Sequence, residues 1–320
     1  MNQISTIASV LPGALTLRHD MDKAGTYLAA EKTDATVRAY QSDLRIFARY
    51  CAANGLVDLP AHPETVMAFL AAQATAGTKA STLTRRVAAI RYSHKAAQLE
   101  PPTDREVVRA TLRGIKRTIG VKQVQKAPAT AERIADMLAR IPGTLTGRRD
   151  RAVLALGFAG AFRRSELVAL TVADLIEVEG GIRVIIRQSK TDQEAEGEEI
   201  AIPYGDKLRP VEAVRAWLDA AGITDGPVFR SVAKGGRVMA EALTCRSVAN
   251  LVKAYAERAG LDPAEFSGHS LRAGFLTSAA VRGASLFKMM EVSRHKSVNT
   301  LRGYVRRADL FKDHAGSGFL

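Results

Sequence analysis

The sequence predicts a mainly α-helical protein with a small antiparallel β-sheet, divided into two domains. Helical spacing of apolar residues runs through the first 118 residues, and a strand-turn-strand pattern begins at residue 175. The length of 320 residues suits two domains of about 100–200 residues each. Hydrophobic residues make up 47% of the chain and charged residues 25%, a globular balance that argues against long disordered segments.

Four helices are predicted in a helical domain over residues 30–118, which follows an N-terminal tail over residues 1–29. The second helix begins at Pro63, Ser81 or Thr82 is predicted to cap the third, and Thr103 with Glu106 forms a capping-box signature for the fourth. In the first helix, apolar residues recur every three or four positions, as on a buried face. That face consists of Val37, Tyr40, Leu44, Phe47 and Tyr50 or Cys51.

A basic segment over residues 119–130 lacks helical periodicity and predicts a linker to the second domain, residues 131–320. In that domain, residues 175–179 and 182–188 alternate around Gly180-Gly181, which predicts a β-hairpin, and residues 197–203 supply a third strand. Further helices are predicted at about 131–140, 148–160, 207–221, 244–259, 270–282, 285–293 and 297–307.

The positive charge of the chain is concentrated in one region. The net charge is +13, of which residues 79–126 carry +9, and acidic residues are scarce there. Solvated helix faces are the ordinary explanation of a charge run, but few intrahelical ion pairs can form here, so a surface that follows DNA phosphates is favoured. Residues 79–91 are the predicted major-groove helix. The predicted DNA contacts are Lys79, Arg85, Arg86, Arg91, Lys95, Arg113, Lys116, Arg117 and Lys122.

Several protein classes are excluded by simple features of the sequence. No apolar run approaches the roughly 18 residues of a membrane-spanning helix, and no basic residue precedes the small-residue stretch near the N-terminus, so neither a membrane anchor nor a secretory signal is predicted. Cys51 and Cys245 lie in different halves, which argues against a disulfide framework or a cysteine metal site. A cytoplasmic, nucleoid-associated protein is expected.

The second half contains several residues that could take part in catalysis, in the order Arg163, Lys190, His269 with Arg272, His295 and Tyr304. Each one alone has an ordinary explanation, such as a surface ion pair or a packed ring. Together they resemble the tyrosine recombinase (phage integrase) family, including its Xer and Cre types. AFRRSEL is similar to the family's GLRxSEL segment, HSLRAGFLT is similar to its HxLRH box, and His295 precedes Tyr304 by the family's nine residues.

The resemblance extends to the first half, where TDATVRAYQSDLRIFARYC is similar to the first helix of the family's core-binding domain, so that it covers about residues 30–310. Three departures stand out. Ala273 occupies the position where many members have a second histidine. Arg164 directly follows Arg163, so either could be the family's first arginine. Arg163 is preferred, because Ser-Glu-Leu then falls in the family's frame. The acidic residues near Lys190 are unusual for a hairpin that faces DNA: Glu194, Glu196, Glu198 and Glu199.

The resemblance implies a core-binding domain and a catalytic domain, without a separate arm-binding domain. It also implies a role for each residue that matches the family's motifs. Tyr304 would be the nucleophile, His269 the base, and Lys190 the acid for the leaving 5′-oxygen. Arg163, Arg272 and His295 would hold the phosphate oxygens, with Glu166 orienting Arg163. Neither a metal nor another cofactor is expected.

The implied partners are double-stranded DNA with an inverted-repeat recombination site and three further copies of the chain in a tetramer, with accessory proteins left open. Leu310 and Phe311 could dock on a neighbouring copy, although a frayed terminus explains them equally well. Two other functions remain as alternatives. One is a type IB topoisomerase-like enzyme, and the other is a non-catalytic, sequence-specific DNA-binding regulator.

Overall fold

The computed structural model describes residues 20–24, 26–27, 31–121, 126–187 and 197–308. The chain divides into two compact units, Met1–Val124 and Gln125–Leu320. Both are built mainly from helices, and the described β-strands pair antiparallel, which confirms the predicted fold class.

Within residues 31–121, the first unit contains four α-helices around one small core. They are α1 (Asp34–Ala53), α2 (Pro63–Thr75), α3 (Ala80–Ala96) and α4 (Glu106–Ile119). The apolar face predicted for α1 points inward, since Phe47 and Cys51 are buried and the other members of that face are partly buried. The core also contains Val66, Phe69, Leu70, Leu83, Ile90 and Val108.

The caps of α3 and α4 differ from the prediction, which was wrong at both helices. The N-cap of α3 is Lys79, two residues before Ser81, and it makes no side-chain cap. Pro102–Asp104 forms a 3₁₀ turn before Arg105, the N-cap of α4. Thr103 lies in this turn with its hydroxyl buried, because the proline-led turn directs that side chain into the core rather than toward the helix end.

The second unit begins with α5 (Ala131–Ala139), α6 (Leu145–Ala159) and α7 (Arg164–Ala169). A three-stranded sheet follows, in which β2 (Gly181–Ile186) lies between β1 (Leu175–Val178) and β3 (Glu198–Pro203). The later elements are α8 (Pro210–Ala221), β4 (Arg230–Val232), β5 (Val238–Ala242), α9 (Cys245–Arg258), α10 (His269–Val281), α11 (Leu286–Ser293) and α12 (Val298–Ala308).

The predicted hairpin is present, but its turn lies at Glu179-Gly180, one residue earlier than predicted, because Gly181 joins β2 and pairs with Val178. Val184 lies opposite Leu175 on one side and Ile200 on the other, so the apolar positions of the sheet share one buried face. The β4–β5 pair was not predicted, because its short strands lack clean alternation and its partners pair with a register shift. Helix α6 is buried on nearly all sides from residue 152 to residue 158, which makes it the central element of the core.

The segment over residues 126–130 lies against α10 by backbone contacts. The Ala127 and Ala129 amides donate to the Glu265 and Ser270 carbonyls at 2.8 and 2.9 Å. Gly274 makes room for this segment, since a Cβ atom there would lie 1.8 Å from the Ala129 carbonyl oxygen. Helix α10 carries His269 and Arg272, so the segment supports the helix on which two candidate catalytic residues stand.

Gly274→Ala is therefore expected to destabilise the fold by about 1–3 kcal/mol, because backbone on both sides prevents relief of the collision. For a unit of this size, each kcal/mol lowers Tm by about 2–4 °C in thermal unfolding. Gly114→Ala is the matched control, since Gly114 lies in α4 with open space around it, and this change is expected to stabilise by up to about 1 kcal/mol. An unchanged Tm for Gly274→Ala would contradict the close approach.

Among the described residues, no helix is both long enough and apolar enough to cross a membrane.

Candidate active site

The first candidate catalytic arginine, Arg163, is the N-cap of α7 and is held there by Glu166. The Arg163 backbone amide donates to Glu166 Oε2 at 2.9 Å, and its Nη1 donates to Glu166 Oε1 at 2.6 Å. Glu166 is 2% exposed. The carboxylate therefore fixes both the start of α7 and the direction of the Arg163 guanidinium, which suits the orienting role expected from the sequence.

The second arginine, Arg272, lies on α10 and is 1% exposed. Its Nη1 donates to the Ala161 carbonyl at 2.8 Å, and its Nη2 lies 3.3 Å from the imidazole nitrogens of His295. Arg163 also acts on both groups, since its charge lowers the pKa of Arg272 and of His295. The exposed Arg164 instead lies over Gly268, beside His269. The geometry favours Arg163 over Arg164 as the residue that faces the site.

His295 follows α11 and is neutral at pH 7. Burial, with the charges of Arg272 and Arg163, lowers its pKa to about 4. Ser293 Oγ donates to the Met289 carbonyl and lies 2.7 Å from His295 Nδ1, so the hydroxyl accepts from an Nδ1–H. Arg272 Nη2 lies equally close to both ring nitrogens, and Nε2, which then carries the free lone pair, is the one that can accept from it.

His269 is the first residue of α10, and its amide donates to Ser267 Oγ at 3.2 Å. His269 is exposed, yet partial loss of hydration, with the charges of Arg272, Arg164 and Arg163, lowers the pKa of the imidazole. A neutral imidazole at this position can accept a proton near pH 7, as a general base must.

Tyr304 lies on α12, only nine residues after His295, and is half-buried. Its ring packs against the cluster of Leu276, Met289 and Leu301, and its phenol interacts electrostatically with Arg272. The structure thus places Arg163, Arg272, His295 and Tyr304 in one site, with His269 beside them. Lys190 lies outside the described residues.

The site is electropositive, because among the described groups three arginines, Arg163, Arg272 and Arg294, outnumber two carboxylates, Glu166 and Glu198, of which Glu198 lies 3.9 Å from Arg294 Nε. Burial opposes ionisation of Glu166, but Arg294 and the amide and side chain of Arg163 outweigh it and hold the pKa of Glu166 below its ordinary value. Burial and mutual repulsion lower the pKa of Arg272 and Arg294, although a guanidinium that starts above 12 stays charged at pH 7. A bound anion would relieve this repulsion, so the arrangement suits a phosphate.

Arg294 is the functional-site residue that the sequence analysis missed. It directly precedes His295, has a φ of 56°, and is 4% exposed. An arginine in a short basic segment ordinarily lies in solvent, and its left-handed backbone is not visible in residue type. In the sequence, the feature that could have marked Arg294 as a site residue was its position directly before His295, a candidate catalytic histidine.

Groups of three or more histidine, cysteine, aspartate or glutamate side chains that could bind a metal ion do not occur in the part of the chain that the structure describes.

Comparison with known proteins identifies the family that shares these features. The sequence profile of the Phage integrase family matches residues 127–310, and that of the Phage integrase N-terminal SAM-like domain matches residues 25–100. The chain belongs to the phage integrase family. It is therefore a site-specific recombinase of the tyrosine class, which confirms the family resemblance and the enzyme class expected from the sequence.

One relative and two solved structures show how far the similarity extends. An integrase/recombinase XerD homolog from Selenomonas ruminantium is 40% identical over 301 residues, which cover 92% of this chain and 87% of that protein. A lambda integrase (75–356) dimer bound to a COC′ core site shares the fold, with a TM-score of 0.60, 19% identity and coverage of 89% of this chain and 93% of that one. XerH bound to palindromic difH substrate, in a post-cleavage complex, matches with a TM-score of 0.61, 18% identity and coverage of 80% and 72%.

The first unit of this recombinase carries the residues predicted to contact DNA, and most of them are exposed. The exposed members are Lys79, Arg85, Arg91, Lys95, Arg113 and Arg117; Lys116 is partly buried, and Lys122 lies outside the described residues. Among described groups, Lys79 and Lys95 have no ion-pair partner, whereas Arg91 pairs with Asp104 at 3.0 Å. The solvent face of α3 otherwise holds small side chains, which suits entry into a groove.

Arg86 departs from the expected surface role, because it is only 9% exposed. Its Nη1 bonds Gln73, its Nε lies 3.6 Å from Asp43, and its guanidinium stacks over Phe69 at 5.9 Å. The exposed Arg85 binds the same Asp43, with hydrogen bonds of 2.7 Å from Nε to Oδ2 and 3.1 Å from Nη2 to Oδ1. Burial argues against a phosphate contact by Arg86, so we leave it out of the proposed DNA surface.

Proposed function

We propose that this recombinase cleaves and rejoins DNA through a 3′-phosphotyrosyl intermediate formed on Tyr304. The observation that carries the proposal is the convergence of Arg163, Arg272 and His295 in one buried, electropositive site beside Tyr304. Each of these groups suits a stage of attack on a phosphodiester, and none of the steps consumes an oxidant or a nucleotide.

The cleavage step balances with the residues named. The Tyr304 oxygen attacks phosphorus while its proton passes to His269, because a phenol with an ordinary pKa near 10 is mostly neutral at pH 7. The bond from phosphorus to the 5′-oxygen breaks, and Lys190 protonates that oxygen. The products are a 3′-phosphotyrosine and a free 5′-hydroxyl, and attack by a 5′-hydroxyl of another strand reverses the step.

Charge stabilisation of the transition state falls to the two arginines and His295. The guanidinium groups of Arg163 and Arg272 offer forked donors to the non-bridging oxygens. A phosphate oxygen between Arg272 and His295 would replace the contact that now joins them, and its negative charge would favour a protonated imidazole that can donate. Preorganised donors of this kind usually supply the largest part of catalysis.

We further propose that the substrate is double-stranded DNA with an inverted-repeat site, bound in the cytoplasm at the nucleoid, and that four copies join two sites. The exposed basic residues of α3 and α4 support DNA binding by the first unit. The dimer on a core site in the lambda integrase structure and the palindromic substrate of XerH support a repeated arrangement of protomers.

The test uses nicked DNA whose cleavage releases a short fragment, so that the intermediate is trapped. The recombinase is expected to form an SDS-resistant protein–DNA adduct on its own site. Sequence-independent relaxation of plasmids that lack the site would instead indicate the type IB topoisomerase alternative. Specific binding without any adduct would indicate the DNA-binding regulator and would refute the proposal.

A further inference from the structure

Arg294 occupies a turn between α11 and α12 in a conformation that an arginine does not adopt without support. Its φ of 56° lies in the left-handed region, and its side chain is 2% exposed. A non-glycine residue in this region persists only where surrounding contacts determine it. The contacts around Arg294 therefore determine its backbone conformation.

Most contacts of its guanidinium lead to residues 160–166, which connect α6 to α7 and begin α7, and which include Arg163. Nη1 donates to the Gly160 carbonyl at 3.0 Å, and Nη2 donates to the Ala161 carbonyl at 3.2 Å and to Glu166 Oε2 at 2.7 Å. The guanidinium also stacks over Phe162 at 5.2 Å. In addition, Nη1 donates to the nearby Val292 carbonyl at 2.5 Å, and Nε lies 3.9 Å from Glu198 Oε2. One side chain thus contacts three consecutive residues of the connection, Gly160, Ala161 and Phe162, and the carboxylate of Glu166 in α7.

Both catalytic arginines share these contacts. Arg163 Nη2 donates to the Arg294 carbonyl at 3.3 Å, so the two residues hold each other. Arg272 donates to the same Ala161 carbonyl that Arg294 binds. Glu166 Oε1 accepts from the Arg163 side chain, and Oε2 accepts from both the Arg163 amide and Arg294 Nη2. His295, the next residue in the chain, is placed by the same turn.

We infer that Arg294 is a positioning residue, which locks the turn bearing His295 onto the loop bearing Arg163, so that Arg163, Arg272 and His295 grip one phosphate together. Its burial keeps it from touching DNA itself. The inference rests on the proposed phosphotyrosyl chemistry, because it assigns Arg294 to the assembly of that site.

Arg294→Gly tests the inference directly, because glycine accepts the left-handed backbone and leaves a guanidinium-shaped space beside Glu166. A misplacement of about 1 Å at an active site can cost about 10²-fold in rate, so adduct formation on the trapping substrate is expected to slow by about that factor while DNA affinity stays within severalfold. Added guanidinium ion, at concentrations too low to denature, is expected to restore part of the rate, whereas sodium at the same ionic strength is not.

Arg282→Gly is the matched control, since Arg282 is an exposed arginine at the end of α10. This variant is expected to form the adduct at the wild-type rate, and added guanidinium ion is expected to leave that rate unchanged. A wild-type rate for folded Arg294→Gly would overturn the inference, and so would a slowed rate that guanidinium leaves unchanged. A merely structural arginine would alter Tm without this rate-specific rescue.

Arg294→Lys provides a second variant if the glycine variant does not fold. Lysine keeps the charge but cannot bind Gly160, Ala161 and Glu166 in one plane, so slowed adduct formation in the folded protein supports the inference and a wild-type rate overturns it. The wild-type protein is measured first. Absence of its adduct would refute the proposed function itself, whereas a wild-type adduct with an unaffected Arg294→Gly variant would refute only the role of Arg294.

Discussion

Arg272→Ala is expected to lower the rate of adduct formation by about 10²–10³-fold, the cost of removing one preorganised donor from a site of charge development. Arg272 is held by the Ala161 carbonyl on one side and faces His295 on the other, so its fork is already in place before DNA binds. A donor fixed in advance needs no reorganisation when negative charge gathers on the phosphate oxygens.

Affinity for DNA is expected to change far less than the rate, because most of the binding comes from phosphate contacts spread over the surface. Arg272→Lys serves as the control, since lysine keeps the positive charge but lacks the forked pair of donors. Its rate of adduct formation should fall between those of wild type and Arg272→Ala. Single-turnover adduct formation and DNA titration on the same preparations separate the two effects. A loss of affinity that matches the loss of rate would assign Arg272 to binding alone.

Glu166→Gln is expected to lower the free energy of unfolding by about 3–5 kcal/mol, as when one partner of a buried ion pair is removed. The Glu166 side chain is 1% exposed and is the shared counter-charge of Arg163 and Arg294. Without it, those two cations and Arg272 repel one another in a site that water barely reaches. Denaturant unfolding measures the change, and Glu64→Gln, at an exposed carboxylate, is expected to change little.

The same variant gives a pH dependence whose sign follows from the pKa of Glu166. The fold lowers that pKa below 4.5, so the stabilisation is fully present above pH 4.5 and is lost as the pH falls through the lower folded value. The stability difference between wild type and Glu166→Gln should therefore be constant near neutrality and shrink as the pH falls below 4.5. A difference that grows on acidification would show that Glu166 is protonated in the fold.

The elements that the sequence predicted well are those whose signals are local. The buried face of α1 and the hairpin of β1 and β2 follow from spacing within a few residues. The candidate catalytic groups were found because their order and intervals, such as the nine residues from His295 to Tyr304, resemble those of the tyrosine recombinase family. Neither the elements nor the candidate catalytic groups required knowledge of contacts between residues far apart in the sequence.

The features that escaped prediction depend on partners far along the chain. Arg86 looks like its surface neighbour Arg85 until Asp43, on another helix, draws it into the core. Arg294 resembles any basic loop residue until the fold brings Glu166, 128 residues away, against it. A charged side chain can be buried only where a counter-charge or hydrogen-bond partner meets it, and here those partners are distant in sequence. Residue type and local spacing do not reveal them.

The central claim is that one chemical group, the phenol of Tyr304, carries the DNA strand. Protease digestion of the trapped adduct, followed by mass spectrometry of the nucleotide-linked peptide, tests it most directly. The account predicts a 3′-phosphate attached to Tyr304 and no adduct from Tyr304→Phe, which still binds the site. A linkage to another residue, or an undiminished adduct from Tyr304→Phe, would contradict it.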